Sequence, residues 1–253
     1  MGFSASSSSS SSSLGLLHNS PWNFHSHSQR VFKILAFNPN FTHKSPITLQ
    51  ISNPNKALVR ASSSKIESIQ LDERSSSIEV ARLLGSTSWS GAGPGLMDAA
   101  TQGALEAGKP VGGFKIGKEA GEWVATNFHP YLPSATYLTC RFFSARKHGL
   151  VDAAVRSSNQ EKTAVIVLPG GIGTLDEAFE ILALIQLERI GSALPVPYIL
   201  MNYNSFYSKL LEFLDVCEDW GTVSKGEVSS LWKVCNNNSE ALRYLAEFYD
   251  LQK

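Results

Sequence analysis

A strand that runs directly into a glycine-rich turn and then into a helix is the feature that most constrains the fold. Thr163–Leu168 is an apolar run of the kind found in strands buried on both faces of a parallel sheet. The turn Pro169–Gly173 follows at once, and Thr174–Arg189 has the pattern of a helix. The backbone N–H groups of such a turn and the positive end of the helix point to one place, so this segment predicts a phosphate-binding site.

The residue types of this turn suit an anion. Gly170, Gly171 and Gly173 have no Cβ and let the backbone come close to a ligand, and the Thr174 hydroxyl adds a donor. A tight connection between a strand and a helix, without any ligand, is the alternative interpretation of a turn of this kind when it stands alone.

A second turn of the same kind lies earlier in the chain. The predicted strand Thr87–Ser90 leads into the segment Gly-Ala-Gly-Pro-Gly-Leu-Met, and a helix is predicted to follow. Two such turns at adjacent strand ends form a nucleotide crevice in an open α/β sheet. Their spacing is not that of the dinucleotide-binding fingerprint, so NAD is not predicted. The candidate binding residues of this second turn are Gly91, Gly93, Gly95 and Met97.

Helix-like and strand-like segments alternate from about residue 75 onwards, which indicates βαβ units. The predicted fold is a single α/β domain with a Rossmann-like open parallel sheet and helices on both faces. The predicted helices are 78–84, 96–107, 142–156, 174–189, 206–220 and 239–249, and the predicted strands are 87–90, 109–114, 163–168 and 197–201.

The N-terminal segment has a composition of its own. Residues 1–61 carry five basic residues and no acidic one, while all 22 acidic residues lie in 62–253. A serine-rich, basic and acid-free N-terminus predicts a disordered plastid transit peptide over 1–61, with processing before Ser62 and a nucleotide-binding domain over 62–253. A solvated tail is the alternative, and mitochondrion or cytosol are the alternative locations. The segment contains no apolar stretch of the roughly 20 residues that a membrane span requires.

The composition also excludes several classes of partner. Cys140, Cys217 and Cys235 are widely separated and do not have metal-ligand spacing, which predicts reduced thiols and no metal site. The mildly acidic part 62–253 lacks basic runs interleaved with aromatic residues, so nucleic acid is not an expected partner.

Two charged positions are candidates for chemistry. Glu177 lies one helical turn after Thr174, which would bring a carboxylate near a sugar attached to the phosphate, whereas Asp176 is expected to face away. The same Thr-x-x-Glu spacing is also that of a helix capping box. Arg146 and Lys147 lie in the first half of a predicted helix, where adjacent charges usually form a solvated face.

These motifs together resemble the LOG family of cytokinin riboside 5′-monophosphate phosphoribohydrolases. The resemblance covers roughly residues 78–245 and depends on Gly-x-Gly-Pro-Gly-Leu-Met, then Arg146-Lys147, then Pro-Gly-Gly-x-Gly-Thr-x-x-Glu, in this order. Many relatives are called lysine decarboxylases. This sequence has no motif for the Schiff-base lysine that a pyridoxal-phosphate decarboxylase needs.

The resemblance implies hydrolysis of the N-glycosidic bond of a purine nucleoside 5′-monophosphate, such as a cytokinin nucleotide, to free base and ribose 5-phosphate. It implies that Arg146 and Glu177 are the catalytic pair, that Lys147, Thr174 and the glycine turns bind the nucleotide, that no cofactor is required, and that the protein is a homodimer. The alternative is a non-catalytic carrier of a nucleotide or cofactor with the same fold.

Two features depart from the family pattern. An insertion lies around Ser157–Lys162, between Arg146 and the glycine turn Gly170–Gly173. The first central strand, which should end in a small-residue turn, is also not evident. Lys65–Leu71 alternates like a strand but is more polar than a central strand should be. We therefore expect that this chain lacks the first strand of the sheet.

Overall fold

The computed structural model describes residues 31–35, 73–116, 118–119, 122–123 and 131–251. Its main sheet has seven strands in the order β6-β3-β2-β1-β7-β8-β9, and all neighbouring pairs are parallel. These strands are β1 (Val31–Leu35), β2 (Thr87–Ser90), β3 (Val111–Ile116), β6 (Tyr137–Cys140), β7 (Val165–Val167), β8 (Tyr198–Met201) and β9 (Lys233–Cys235). A small antiparallel pair consists of β4 (Lys118–Glu119) and β5 (Glu122–Trp123).

Helices connect the strands of the main sheet. They are α1 (residues 73–84), α2 (Leu96–Glu106), α3 (Phe143–Ala154), α4 (Ile172–Gln186), α5 (Ser208–Asp219), α6 (Glu227–Leu231) and α7 (Asn238–Phe248), and a 3-10 turn covers Tyr203–Ser205. No helix among the described residues is long and apolar enough to cross a membrane.

The helices cover both faces of the sheet. On one face, α1, α2 and α7 contribute residues such as Val80, Met97 and Leu245 to one buried cluster. On the other face, α3, α4, α5 and α6 contribute residues such as Leu150 and Ile181 to a second cluster. The predicted α/β fold with a Rossmann-like open parallel sheet is confirmed.

The position of β7 in the sheet explains why its segment is apolar throughout. Val165 and Val167 lie in the cluster beneath α3 and α4, while Ile166 and Leu168 lie in the cluster beneath α1, α2 and α7. Successive side chains of a strand point to opposite faces, so a central strand covered on both sides needs apolar residues at every position.

The central strand comes from a part of the chain where none was expected. Residues 31–35 form β1, which pairs with β2 on one side and with β7 on the other. The expectation of a missing first strand is therefore wrong, and part of the folded sheet precedes the expected processing site at residue 61. Lys65–Leu71, the segment considered as a possible first strand, lies outside the described residues.

The remaining differences from the expected elements concern short segments. The sequence predicts none of β4, β5, β6, β9 and α6, and it predicts a polar loop where β4 and β5 lie, because elements of two to five residues show little hydrophobic period. The insertion Ser157–Lys162 connects the end of α3 to the start of β7, so it lies at the amino edge of the sheet. Arg156 holds it there by donating hydrogen bonds to the carbonyls of Glu161, Asn159 and Pro195.

Candidate functional site

The two glycine turns lie at the carboxyl edge of the sheet, on either side of the central strand. One turn follows β2 and the other follows β7, and β1 pairs with both strands. They were expected at adjacent strands, but one strand separates them, which places them roughly 10 Å apart given the usual strand spacing. The helices that follow them cover opposite faces of the sheet, so the two turns border the crevice in which open α/β sheets bind ligands.

The turn after β7 is shaped by contact between Gly170 and Thr174. A Cβ built at Gly170 would lie 2.2 Å from the Thr174 Oγ1 atom, so no other residue fits there without displacing Thr174. Thr174 is buried, and its N–H donates to the Gly171 carbonyl at 3.0 Å. The positive end of α4, which begins at Ile172, is directed at the carboxyl edge.

The capping-box interpretation of Glu177 is not correct. Gly171 is the N-cap of α4, so Thr174 lies inside the helix rather than at its cap. Glu177 is the sixth residue of the helix and its side chain is only 2% exposed. Ionisable groups buried beside a ligand crevice are candidates for chemistry, so Glu177 remains a candidate site residue.

The turn after β2 lies against the guanidinium group of Arg146. A Cβ built at Gly91 would lie 2.1 Å from Arg146 Nη2 and 2.8 Å from Met97 Sδ. Gly95, the N-cap of α2, has a φ of 78°, a left-handed value that favours glycine. The N–H of Ala92 donates to Ser90 Oγ at 3.1 Å, which holds the chain between these glycines.

Arg146 is buried by the close approach of α3 to the sheet. Its side chain is only 2% exposed, and its Cζ lies 5.3 Å from the centre of the Phe143 ring. One turn later, Gly149 leaves room for Phe114 of β3, where a Cβ would lie 2.5 Å from the ring. The solvated-face interpretation is therefore wrong for Arg146.

Lys147 is directed at α4 rather than at the glycine turns. Its Nζ lies 3.0 Å from a carboxylate oxygen of Asp176 and 3.0 Å from one of Glu180. Burial alone would lower the pKa of Lys147, but its hydrogen bonds and charge interactions with these two carboxylates raise it. The ion pairs join α3 to α4, the two helices that carry Arg146 and Glu177.

A further buried carboxyl group lies at the same edge of the sheet and was not found from the sequence. Glu73 is buried at the start of the described part of α1, where Ser77 Oγ donates to it at 2.7 Å. The Tyr203 hydroxyl lies 3.3 Å from its other oxygen and also contacts Asn238. Burial raises the pKa of Glu73 from its usual 4.5 to about 7, although the hydrogen bonds from Ser77 and Tyr203 lower it.

Among the residues that the structure describes, no group of three His, Cys, Asp or Glu side chains could hold a metal ion. The three cysteines of the chain are free thiols, and they lie on separate elements.

The solved structures that are similar to this chain include two molybdenum cofactor proteins. One is the molybdenum cofactor binding protein from the phototrophic bacterium Rippkaea orientalis, 16% identical, with a TM-score of 0.46 over 88% of this chain and 99% of that one. The other is the molybdenum cofactor carrier protein from Chlamydomonas reinhardtii, 15% identical, with a TM-score of 0.44 over 86% of this chain and 98% of that one.

The sequence itself identifies the family. No protein with a curated description matches the chain. A family model described as "possible lysine decarboxylase" matches residues 97–245, a span that includes Met97, Arg146, Glu177 and the glycine turn Gly170–Gly173. Since this span is more than half of the chain, the protein belongs to that family, the lysine decarboxylase-like or LOG family.

Proposed function

We propose that this protein hydrolyses the N-glycosidic bond of a purine nucleoside 5′-monophosphate. The observation that carries the proposal is the burial of Arg146 and Glu177, each 2% exposed, beside two glycine turns at one edge of the sheet. A protein that only holds a phosphate needs donors there but gains nothing from a buried carboxyl group. Two buried ionisable side chains of opposite charge beside a phosphate-binding turn are the groups that a reaction at this place needs.

The roles follow from position. The phosphate is bound by the turn Gly170–Gly173 and by Thr174 at the positive end of α4. Glu177 lies one helical turn further along α4, and it orients the attacking water and stabilises the positive charge that develops on the ribose. Arg146, held against the Gly91 turn, orients the nucleotide. Water adds its oxygen to the anomeric carbon, the bond to the base nitrogen breaks, and the base leaves with a proton.

Lys147 has a different role in this proposal than the sequence suggested. Its two ion pairs direct its charge to Asp176 and Glu180. We therefore assign it to holding α3 against α4, which fixes the separation of Arg146 and Glu177, and not to contact with the phosphate.

The decarboxylase activity in the family description does not fit the residues. A lysine that forms a Schiff base with pyridoxal phosphate must lose its proton readily, which requires a lowered pKa. Lys147, the lysine that follows Arg146 at this site, has a raised pKa because its carboxylate partners outweigh the effect of burial. No step of the proposed reaction uses an organic cofactor.

The proposed homodimer has a candidate surface on α5. Phe213, Val216 and Trp220 are exposed and lie on one side of this helix at helical spacing. When two copies of α5 pack antiparallel, Phe213 of one lies opposite Val216 of the other, and Lys209 lies opposite Trp220. The stripe is therefore self-complementary, as a two-fold interface requires. Analytical sedimentation tests this surface. We expect the wild type to sediment as a dimer and Trp220→Glu as a monomer. Val155→Glu changes another exposed residue and should remain a dimer.

The experiment that tests the function uses the full chain with AMP and with isopentenyladenosine monophosphate. Free base and ribose 5-phosphate are followed by chromatography, and nucleotide binding is measured by calorimetry in parallel. Release of base in equal amount to ribose 5-phosphate is expected, and the two rates rank the substrates. Binding of nucleotide without release of base would contradict the hydrolase and favour the carrier.

A further inference from the structure

We infer that Tyr207 is a positioning residue for the phosphate turn, a role that rests on the proposed function of that turn. Tyr207 lies between the 3-10 turn Tyr203–Ser205 and α5, nearly forty residues after the phosphate turn. Its side chain is buried. Its hydroxyl donates a hydrogen bond to the Leu168 carbonyl at 2.6 Å. The backbone of Gly170 also interacts with the same phenol and lowers its pKa, although burial raises it more.

These two contacts lie on either side of Pro169. Proline has no N–H, and the turn between the end of β7 at Val167 and the start of α4 at Ile172 belongs to neither the sheet ladder nor the helix. A buried phenol that donates to Leu168 and interacts with the backbone of Gly170 fixes the path of this stretch. Because burial raises the pKa of Tyr207, its hydroxyl keeps the proton that it donates to Leu168.

The position of Gly170 controls the position of Thr174. Their contact is so close that a Cβ at Gly170 would overlap Thr174 Oγ1, so a shift of Gly170 toward Thr174 displaces the Thr174 hydroxyl as well. The Tyr207 hydroxyl therefore acts on the phosphate through two residues of the turn without touching the ligand.

Tyr207 is itself held by hydrogen bonds to residues at the ends of the next two strands. Its backbone N–H donates to Asn202 Oδ1 at 2.7 Å, and the Asn202 N–H donates to the Cys235 carbonyl at 2.7 Å. Asn202 directly follows β8, and Cys235 ends β9. Through Tyr207, the position of the turn after β7 is thus fixed relative to the carboxyl ends of β8 and β9.

Tyr198 provides a matched control. It is also buried, and its hydroxyl donates to the Ala178 carbonyl of α4 at 2.7 Å, within the helix and away from the turn. Tyr198→Phe and Tyr207→Phe each remove one buried hydroxyl that bonds a backbone carbonyl. Losses of stability should be similar, so a difference in phosphate binding between the two variants reports on the turn.

The test measures the Kd of the full chain for inorganic phosphate by calorimetry, together with KM and kcat for the nucleotide. Tyr207→Phe should weaken phosphate binding and raise KM by about tenfold, the effect of one net hydrogen bond, and change kcat less. Tyr198→Phe should keep the phosphate Kd of the wild type. Equal phosphate affinity of Tyr207→Phe and the wild type, or equal loss in both variants, would overturn the inference.

Failure of the proposed function gives a different result. A wild type that binds phosphate but releases no base would refute the hydrolase, and the phosphate Kd of Tyr207→Phe would still decide the positioning role. A wild type that neither binds inorganic phosphate nor releases base would overturn both.

Discussion

The backbone of Gly91 lies directly against the guanidinium group of Arg146, so close that a Cβ at position 91 would lie 2.1 Å from Nη2. The two residues are 55 positions apart in the chain and lie on different elements. Their contact joins the turn after β2 to the first turn of α3. The place of Arg146 in the site is therefore set by the absence of a side chain at Gly91.

Replacing Gly91 with alanine should displace Arg146 and abolish base release, because a methyl group at this contact must push the guanidinium away. Gly221→Ala is the control. Gly221 has a φ of 68° and open space around it, so alanine there costs about 1–2 kcal/mol of stability through backbone strain. We expect Gly91→Ala to lose far more of its base-release activity than Gly221→Ala, although the two variants have comparable melting temperatures. Similar activity in both variants would contradict the role of this contact.

Glu73 should make the stability of the protein depend on pH. Its pKa is about 7 in the folded protein against a usual 4.5, so its protonated form is favoured by folding. Stability is fully present below pH 4.5 and is lost as pH rises through about 7, by an amount on the order of 3 kcal/mol. Urea unfolding of the wild type at about pH 5 and pH 8 measures this change.

Glu73→Gln provides the comparison, since glutamine does not titrate and can still accept the hydrogen bond from Ser77. The difference in unfolding free energy between the wild type and Glu73→Gln should move in favour of the variant as pH rises. If the difference in unfolding free energy between the wild type and Glu73→Gln stays constant over this pH range, Glu73 does not titrate there. Glu79→Gln, which changes an exposed residue, is the control.

Removal of residues 1–61 should prevent cooperative folding, whereas removal of residues 1–30 should not. The longer deletion takes away β1, the strand that joins β2 to β7, so that each of these two strands loses one of its two paired neighbours and the sheet is divided. Circular dichroism and thermal unfolding of the two shortened chains measure the difference. A cooperative transition in the chain that starts at residue 62 would show that the sheet does not need β1, and would favour processing at that point.

The fold was predictable from sequence where a segment carried its own signal. Thr163–Leu168 is apolar throughout and is followed by three glycines, which predicts a buried strand, a turn and a helix without further information. The start of α4 was placed at Thr174 rather than at Ile172, because the Thr-x-x-Glu spacing imitates a cap. In the structure the same spacing brings the Thr174 and Glu177 side chains, both buried, to one side of the helix.

Other features depend on contacts between distant segments and have no local signal. β1 is five residues long and contains a lysine, so it does not stand out from the serine-rich segment that precedes it. The burial of Arg146 depends on Gly91 and Gly149, and the direction of Lys147 depends on Asp176 and Glu180. Tyr207 reaches the phosphate turn only because β8 lies beside β7 in the sheet.

The most direct test of the central claim is the rate of base release by Glu177→Gln with bound AMP, measured beside Glu79→Gln, whose side chain is exposed on α1. Glutamine keeps the size of the side chain but can neither take a proton nor carry a negative charge. We expect Glu177→Gln to retain nucleotide binding and to lower kcat by at least about a hundredfold, while Glu79→Gln keeps the rate of the wild type. A rate in Glu177→Gln within about threefold of the wild type, far below the usual contribution of such a group, would contradict the assignment of Glu177 and the reaction built on it.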